Sequence, residues 1–159
     1  MIVFNESVEI EATPEALFQF AGNLEENYKL MSDKFVQFKM VKGDPISEGS
    51  VFYLEEVFGD KRLGGKYRVK RIIPNQLIEW EVLFPKAMTS GRFMMFIIEK
   101  EGRIELKELI MLGKDSPLLG KAVDWSINHV LMPYCQEFFE HQKEGMQNIK
   151  EALEQSYLM

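Results

Sequence analysis

The chain has 159 residues, 46% of them apolar and 28% charged, a balance that suits one globular domain with a substantial core and excludes wholesale disorder. Its formal net charge of −6 argues against a duplex-binding protein, which needs clustered excess Lys and Arg, so no nucleic-acid partner is expected. The single cysteine, Cys135, permits no internal disulfide and, set among large apolar residues, suits a reduced, cytoplasmic protein.

The first residues, Met1 to Ser7, carry no charged leader and no apolar signal-peptide core. No apolar run approaches the length of a membrane span, and no membrane insertion is expected. Residues 2–11 alternate as a first strand, Val8 and Ile10 against Glu9 and Glu11. Thr13 and Pro14 then open a short helix, the hydroxyl as cap and the proline at the first helical position. Ala16, Leu17 and Phe20 give it one apolar face, Gly22 and Asn23 end it, and a second short helix is predicted over Leu24 to Met31.

Five or six strands are predicted next. Val36, Phe38 and Met40 alternate with Gln37 and Lys39. Gly43-Asp44-Pro45 and Gly49 supply a turn, and Val51 to Phe58 forms a strand in which either Glu55 or Glu56 must face inward. Gly59-Asp60 and Gly64-Gly65 bracket a turn or bulge region. Lys66 to Ile73 places Tyr67, Val69 and Arg71 on one face, with the basic Lys66, Arg68 and Lys70 on the other as a wet strand face. Pro74-Asn75 turns. Ile78, Trp80, Val82 and Phe84 alternate with acidic residues; Pro85 to Gly91 is a loop; Arg92 to Lys100 and Arg103 to Leu112 are joined at Glu101-Gly102 by a tight hairpin.

Ser116 and Pro117 open a long amphipathic helix that runs to about Ser156, with Pro133 predicting a kink or short break near Leu131 and hence an approach helix and a main helix. At 100° per residue, Tyr134, Phe138, His141, Gly145, Ile149 and Ala152 share one side, so that His141 points at the sheet. Glu137, one turn earlier, is placed to bond its imidazole.

The order strand, two short helices, antiparallel strands, long helix resembles that of an α+β helix-grip fold. The run Val8-Glu9-Ile10-Glu11-Ala12-Thr13-Pro14-Glu15-Ala16-Leu17, with Phe20, and the run Glu144-Gly145-Met146-Gln147-Asn148-Ile149-Lys150-Glu151-Ala152-Leu153-Glu154 resemble the first strand–helix junction and the final helix of the START-like superfamily. That superfamily includes the birch-allergen-like and polyketide cyclase/dehydrase-like proteins. The resemblance implies one domain spanning the whole chain, a curved antiparallel sheet of six or seven strands around the last helix, and an internal cavity. It specifies function poorly, because the superfamily contains carriers, receptors, cyclases, hydrolases and cochaperones.

The expected ligand is a small apolar or aromatic molecule, lipid- or polyketide-like, entering at the sheet rim past the Pro85–Gly91 loop and the approach helix. Candidate ligand-binding residues are Tyr67, Arg71, Trp80, Met95, Tyr134, Phe138 and His141, a greasy set with few polar groups, as small-molecule pockets have. Glu108 shares a face with Ile104, Leu106 and Ile110, and an inward carboxyl needs a partner. If the protein is a cyclase or dehydrase, as the resemblance implies, His141 is the candidate acid/base with Glu108 or Glu137 orienting it. Plain alternatives stay open: a satisfied buried His141, and Glu108 and Arg71 at strand ends with their charges in water.

Two further classes remain. In phloroglucinol hydrolase-like relatives a histidine and a glutamate stand one turn apart on the last helix to serve a metal; here the position one turn after His141 is Gly145, which breaks that pattern, and no metal or other cofactor is expected. A protein-binding module would go with an exposed apolar patch around Trp125 and Met132 and a filled core; a homodimer through the approach helix is a separate option.

Overall fold

The computed structural model describes residues 2–84, 91–112 and 132–157. Seven strands, β1 (Ile2–Ile10), β2 (Phe35–Lys42), β3 (Val51–Phe58), β4 (Lys61–Ile73), β5 (Leu77–Phe84), β6 (Arg92–Lys100) and β7 (Arg103–Leu112), form one sheet in the order β1-β7-β6-β5-β4-β3-β2. Every neighbouring pair is antiparallel. Helices α1 (Pro14–Gly22) and α2 (Leu24–Met31) follow β1, and α3 (Met132–Tyr157) ends the described chain. This is the helix-grip architecture that the order of elements implied.

Local chemistry sets the junctions. The Thr13 hydroxyl accepts the Ala16 N–H at 3.2 Å, and Pro14 sits in the first turn, where its missing N–H costs nothing. Glu101 and Gly102 both take positive φ, as the tight β6–β7 hairpin requires.

α3 approaches the sheet most closely at β1, one edge strand, and at β3, next to the other edge, and keeps its distance from the strands between. The middle of the sheet therefore bows away from the helix. Part of the space is filled by a core of Ile10, Leu17, Ile78, Ile97, Ile104, Leu106, Ile149 and Leu153. A second cluster, Phe4, Ile110 and Leu112 with Phe93, Phe138 and Phe139, lies under the first turns of α3.

Four features depart from the sequence reading. Gly64 and Gly65 are no turn: β4 begins at Lys61 and runs through them, the reversal being made at Gly59, whose φ is 58°. A register shift between Phe35 and Gln37 turns Phe35 inward beside Phe38, where strict alternation points it out. A second shift, between Val69 and Arg71, breaks the alternation that put Arg71 with Tyr67, and Arg71 is exposed. The buried face of α3 is rotated from the expected one: Cys135, Met146 and Leu153 are buried along with His141 and Ile149, while Ala152 is half-exposed. The predicted approach helix, the kink near Leu131, Trp125, residues 85–90 of the rim loop, and the side chains of Met132 and Tyr134 lie outside the described residues and side chains. Among the described residues no helix is long and apolar enough to cross a membrane.

Candidate functional site

Between the bowed sheet and the helices lies a cavity of about 110 Å³. Its walls come from α1 (Leu17, Phe20), α2 (Leu24, Met31), the inner faces of β2 to β7, and Gln142 and Ile149 of α3. One wall is a chain of rings. Phe52 stacks on Tyr67 at 5.2 Å and the Tyr67 ring meets Phe93 edge-on at 5.7 Å, while Phe38, outside the lining, stacks on Phe52 at 5.1 Å. Gly65 makes room for this wall: a Cβ there would stand 2.9 Å from the Tyr67 ring.

Two carboxyls enter this apolar hollow, Glu56 from β3 and Glu108 from β7. Glu56 is the inward member of the Glu55-Glu56 pair; Glu55 instead accepts the Tyr53 hydroxyl at 3.0 Å and pairs with Arg62. Glu108 stands across from Met95 on β6 and Glu6 on β1, and Met95 lines the same hollow. Burial alone raises the Glu56 carboxyl to about 8 and the Glu108 carboxyl to about 7. Both therefore hold a proton much of the time at neutral pH. Burial first, and the Glu56 charge second, push the Tyr67 hydroxyl far above its ordinary range. The Trp80 indole N–H and one Glu108 oxygen, Oε2, are buried with no hydrogen-bond partner among the described residues.

His141 is buried, 1% exposed, but it does not line the cavity. Its ring is wedged edge-on against Phe35 (5.1 Å) and Phe58 (5.6 Å), and its Nε2 lies 3.6 Å from Glu56 Oε2. That is too long for a hydrogen bond, and neither ring nitrogen has a partner among the described residues. Burial, followed by the charge of Lys34, lowers its pKa to about 4. Two neutral groups therefore meet here, although the separation is that of an ion pair.

The structure sorts the sequence-predicted residues. Tyr67, Trp80, Met95 and Glu108 lie on the cavity wall. Phe138 stands behind the wall, 6.4 Å from Phe93 and 6.0 Å from Phe58. Arg71 faces out. Glu137 does not reach His141: its carboxylate accepts the Gly59 N–H at 3.0 Å and ties α3 to the β3–β4 turn. The Tyr134 side chain is outside the described set. Among the described residues no three of His, Cys, Asp and Glu converge as metal ligands do. Phe35 and Gln142 were not singled out from sequence: the first hides behind a bulge, the second behind a helix phase set by packing.

No protein-family model and no curated protein sequence matches the chain. Among solved structures it is similar to major latex-like protein 151 of Panax ginseng, with a TM-score of 0.75 at 10% identity over 96% of this chain and 97% of that one. It is similar to Ara h 8.0201, with a TM-score of 0.68 at 14% identity over 96% and 97% of the two chains. It is also similar to the di-domain ARO/CYC StfQ from the steffimycin biosynthetic pathway, with a TM-score of 0.67 at 11% identity, over 99% of this chain and 52% of that one. At such identities the likeness is one of fold: the chain has the helix-grip fold of the birch-allergen-like, START-like proteins.

Proposed function

We propose that the chain, as one cytoplasmic domain, binds a small, mainly apolar ligand with an aromatic core in the hollow between sheet and α3. One observation carries this reading: an apolar cavity whose lining includes Glu108 and Trp80, each with a buried polar atom, Oε2 and the indole N–H, that has no hydrogen-bond partner among the described residues. Buried polar groups are nearly always satisfied, and a ligand would supply what the protein does not. The polar atoms would fix its orientation while the rings bury its surface. Size narrows the class. An apolar cavity of about 150 Å³ takes benzene, so a hollow of about 110 Å³ sets one small ring as the upper limit without some give in its walls, and a lipid or polyketide would require the walls to move much further. Burying one ring's surface contributes roughly 4–6 kcal/mol before the costs of association. The hollow favours this reading over a protein-binding module with a filled interior. The absence of a converging ligand set among the described residues gives the metal-dependent hydrolase no support.

Methionine methyl groups test the proposal. Met94 and Met95 line the cavity, whereas Met146 is buried in the core and does not line it. In protein carrying ¹³C-methyl methionine, phenol at millimolar concentration should shift the Met94 and Met95 resonances and leave Met146 nearly still. Unmoved Met94 and Met95 would retire the proposal.

The carboxyls at about 8 and about 7 favour a second reading, cyclase- or dehydrase-like acid–base chemistry, because groups titrating near neutrality serve that work. Glu56 and Glu108 would do it, and His141 would act only through Glu56. A ligand recovered with altered mass after incubation supports catalysis; one recovered unchanged supports carriage.

A further inference from the structure

We propose that the hollow selects a cation: a one-ring aromatic amine whose ammonium group meets Glu108, in preference to the neutral alcohol or the carboxylate of the same skeleton. This deepens the small-ligand reading above and rests on it. The described lining contains two carboxyls, one amide and no Lys, Arg or His. An anionic ligand would find no counter-charge there, and repulsion from Glu56 and Glu108 wherever they are ionised. A cation finds the reverse. Glu108 Oε2 is buried and without a partner among the described residues, so an ammonium donor would complete it. The rings of Phe52, Tyr67, Trp80 and Phe93 are part of the same lining, and an aromatic ring that turns its face to a cation attracts it. The protein's net charge of −6 raises the local concentration of cations and lowers that of anions.

The groups around Glu108 do not cancel this preference. Across from it on β1, Glu6 is engaged by Lys143 of α3 at 2.8 Å. On β6 it faces uncharged Met95. The other acid of the hollow, Glu56, has behind it His141, whose pKa of about 4 leaves it neutral at working pH. Because the Glu108 carboxyl titrates at about 7, an ammonium binding below that pH must expel its proton. Amine affinity then rises by up to tenfold per pH unit below pH 7 and levels off above it, while alcohol affinity does not rise.

The experiment titrates the full chain with 2-phenylethylamine, 2-phenylethanol and phenylacetate, read by the Met94 and Met95 methyl shifts at pH 6, 7 and 8. The amine should bind at least tenfold tighter than the alcohol at pH 8, with phenylacetate weakest. Glu108→Gln should bring the amine down to the alcohol. If the alcohol binds as well as the amine, the cation preference falls and the small-ligand reading stands. If none of the three moves Met94 and Met95, both fall. Retention of the amine preference in Glu108→Gln also overturns the proposal. Should that variant not fold, an amine affinity flat between pH 6 and 8 in the native sequence overturns it instead.

Discussion

His141 Nε2 and Glu56 Oε2 lie 3.6 Å apart in a site where burial strips the charge from both. The contact joins α3 to β3 behind the cavity wall, and it is a packing contact between neutral groups rather than a salt bridge. The ring is held by Phe35 and Phe58, so its shape contributes more to stability than its nitrogens do.

Replacement of that ring should separate shape from polarity. His141→Ala removes a fully buried side chain and should cost about 2–4 kcal/mol in urea unfolding, the usual range for emptying a core position. His141→Leu keeps most of the volume and removes two nitrogens that have no partner among the described residues. Loss of an unsatisfied polar group offsets loss of fit, so His141→Leu should stay within about 1 kcal/mol of the native chain. Equal damage from both variants would mean that the nitrogens are satisfied in solution.

The carboxyls predict how stability depends on pH. Glu56 and Glu108 are raised from 4.5 to about 8 and about 7, so the folded state binds more protons than the unfolded one above pH 4.5. Stability from these groups is full below pH 4.5 and is lost as pH rises through 7 and 8. His141, lowered from 6.5 to about 4, acts oppositely: its contribution is full above pH 6.5 and is lost as pH falls toward 4. Glu56→Gln cannot ionise, so its stability relative to the native chain should improve between pH 4.5 and 8, by about 1.4 kcal/mol per pH unit at most. Melting temperatures of the two proteins compared at pH 5, 6, 7 and 8 check this; a constant difference would show that Glu56 stays charged throughout.

Adjacent glycines on β4 should respond unequally to alanine. At Gly65 the new Cβ would meet the Tyr67 ring at 2.9 Å, and that ring is fixed between Phe52 and Phe93. Overpacking of this kind costs about 1–3 kcal/mol, and the displaced ring would intrude on the cavity. At Gly64 the clash is with the Tyr53 hydroxyl, the far end of a half-exposed side chain that can swing away from Glu55. Gly64→Ala should therefore cost less than Gly65→Ala, and only Gly65→Ala should shift the Met94 and Met95 methyl resonances.

What the sequence disclosed follows from what its periodicities encode. Ile78, Trp80 and Val82 on β5, and Ile104, Leu106, Glu108 and Ile110 on β7, obey an unbroken period of two, and their inward face was readable from spacing alone. Arg71 and Phe35 were not, because one extra residue in a strand exchanges its two faces, and nothing in Val36 or Lys70 announces the insertion. The Glu55-Glu56 ambiguity has the same origin: two like residues in a row carry no phase, and pairing with β2 and β4 decides between them. On α3 the period was right and the phase was off by part of a turn: His141, Gly145 and Ile149 are buried as expected, but Met146 and Leu153 are buried where Ala152 was expected. Phe138 and Gln142 differ by one turn, yet packing against β1 and α2 puts the second on the cavity and the first behind it. His141 was legible as inward, but its neighbour, Glu56, lies 85 positions away on a strand whose phase was open.

The cap of α1 ties local chemistry to the cavity. Thr13 accepts the Ala16 N–H, and the helix it starts presents Leu17, Phe20 and Ala21 to the hollow. Thr13→Ala should cost about 1 kcal/mol, the usual loss for a hydroxyl cap. The cost should be local. Amides of the first turns of α1 should exchange with solvent faster, while those of β5 and β6, at the centre of the sheet, keep the protection set by global unfolding. A loosened α1 widens the cavity wall it forms, so a one-ring ligand should bind Thr13→Ala more weakly than the native chain, and saturating ligand should recover part of the lost melting temperature through its preference for the ordered helix. Thr13→Ser retains the hydroxyl and should restore both exchange and affinity. If Thr13→Ser behaves like Thr13→Ala, the methyl group rather than the cap bond holds this end of the helix.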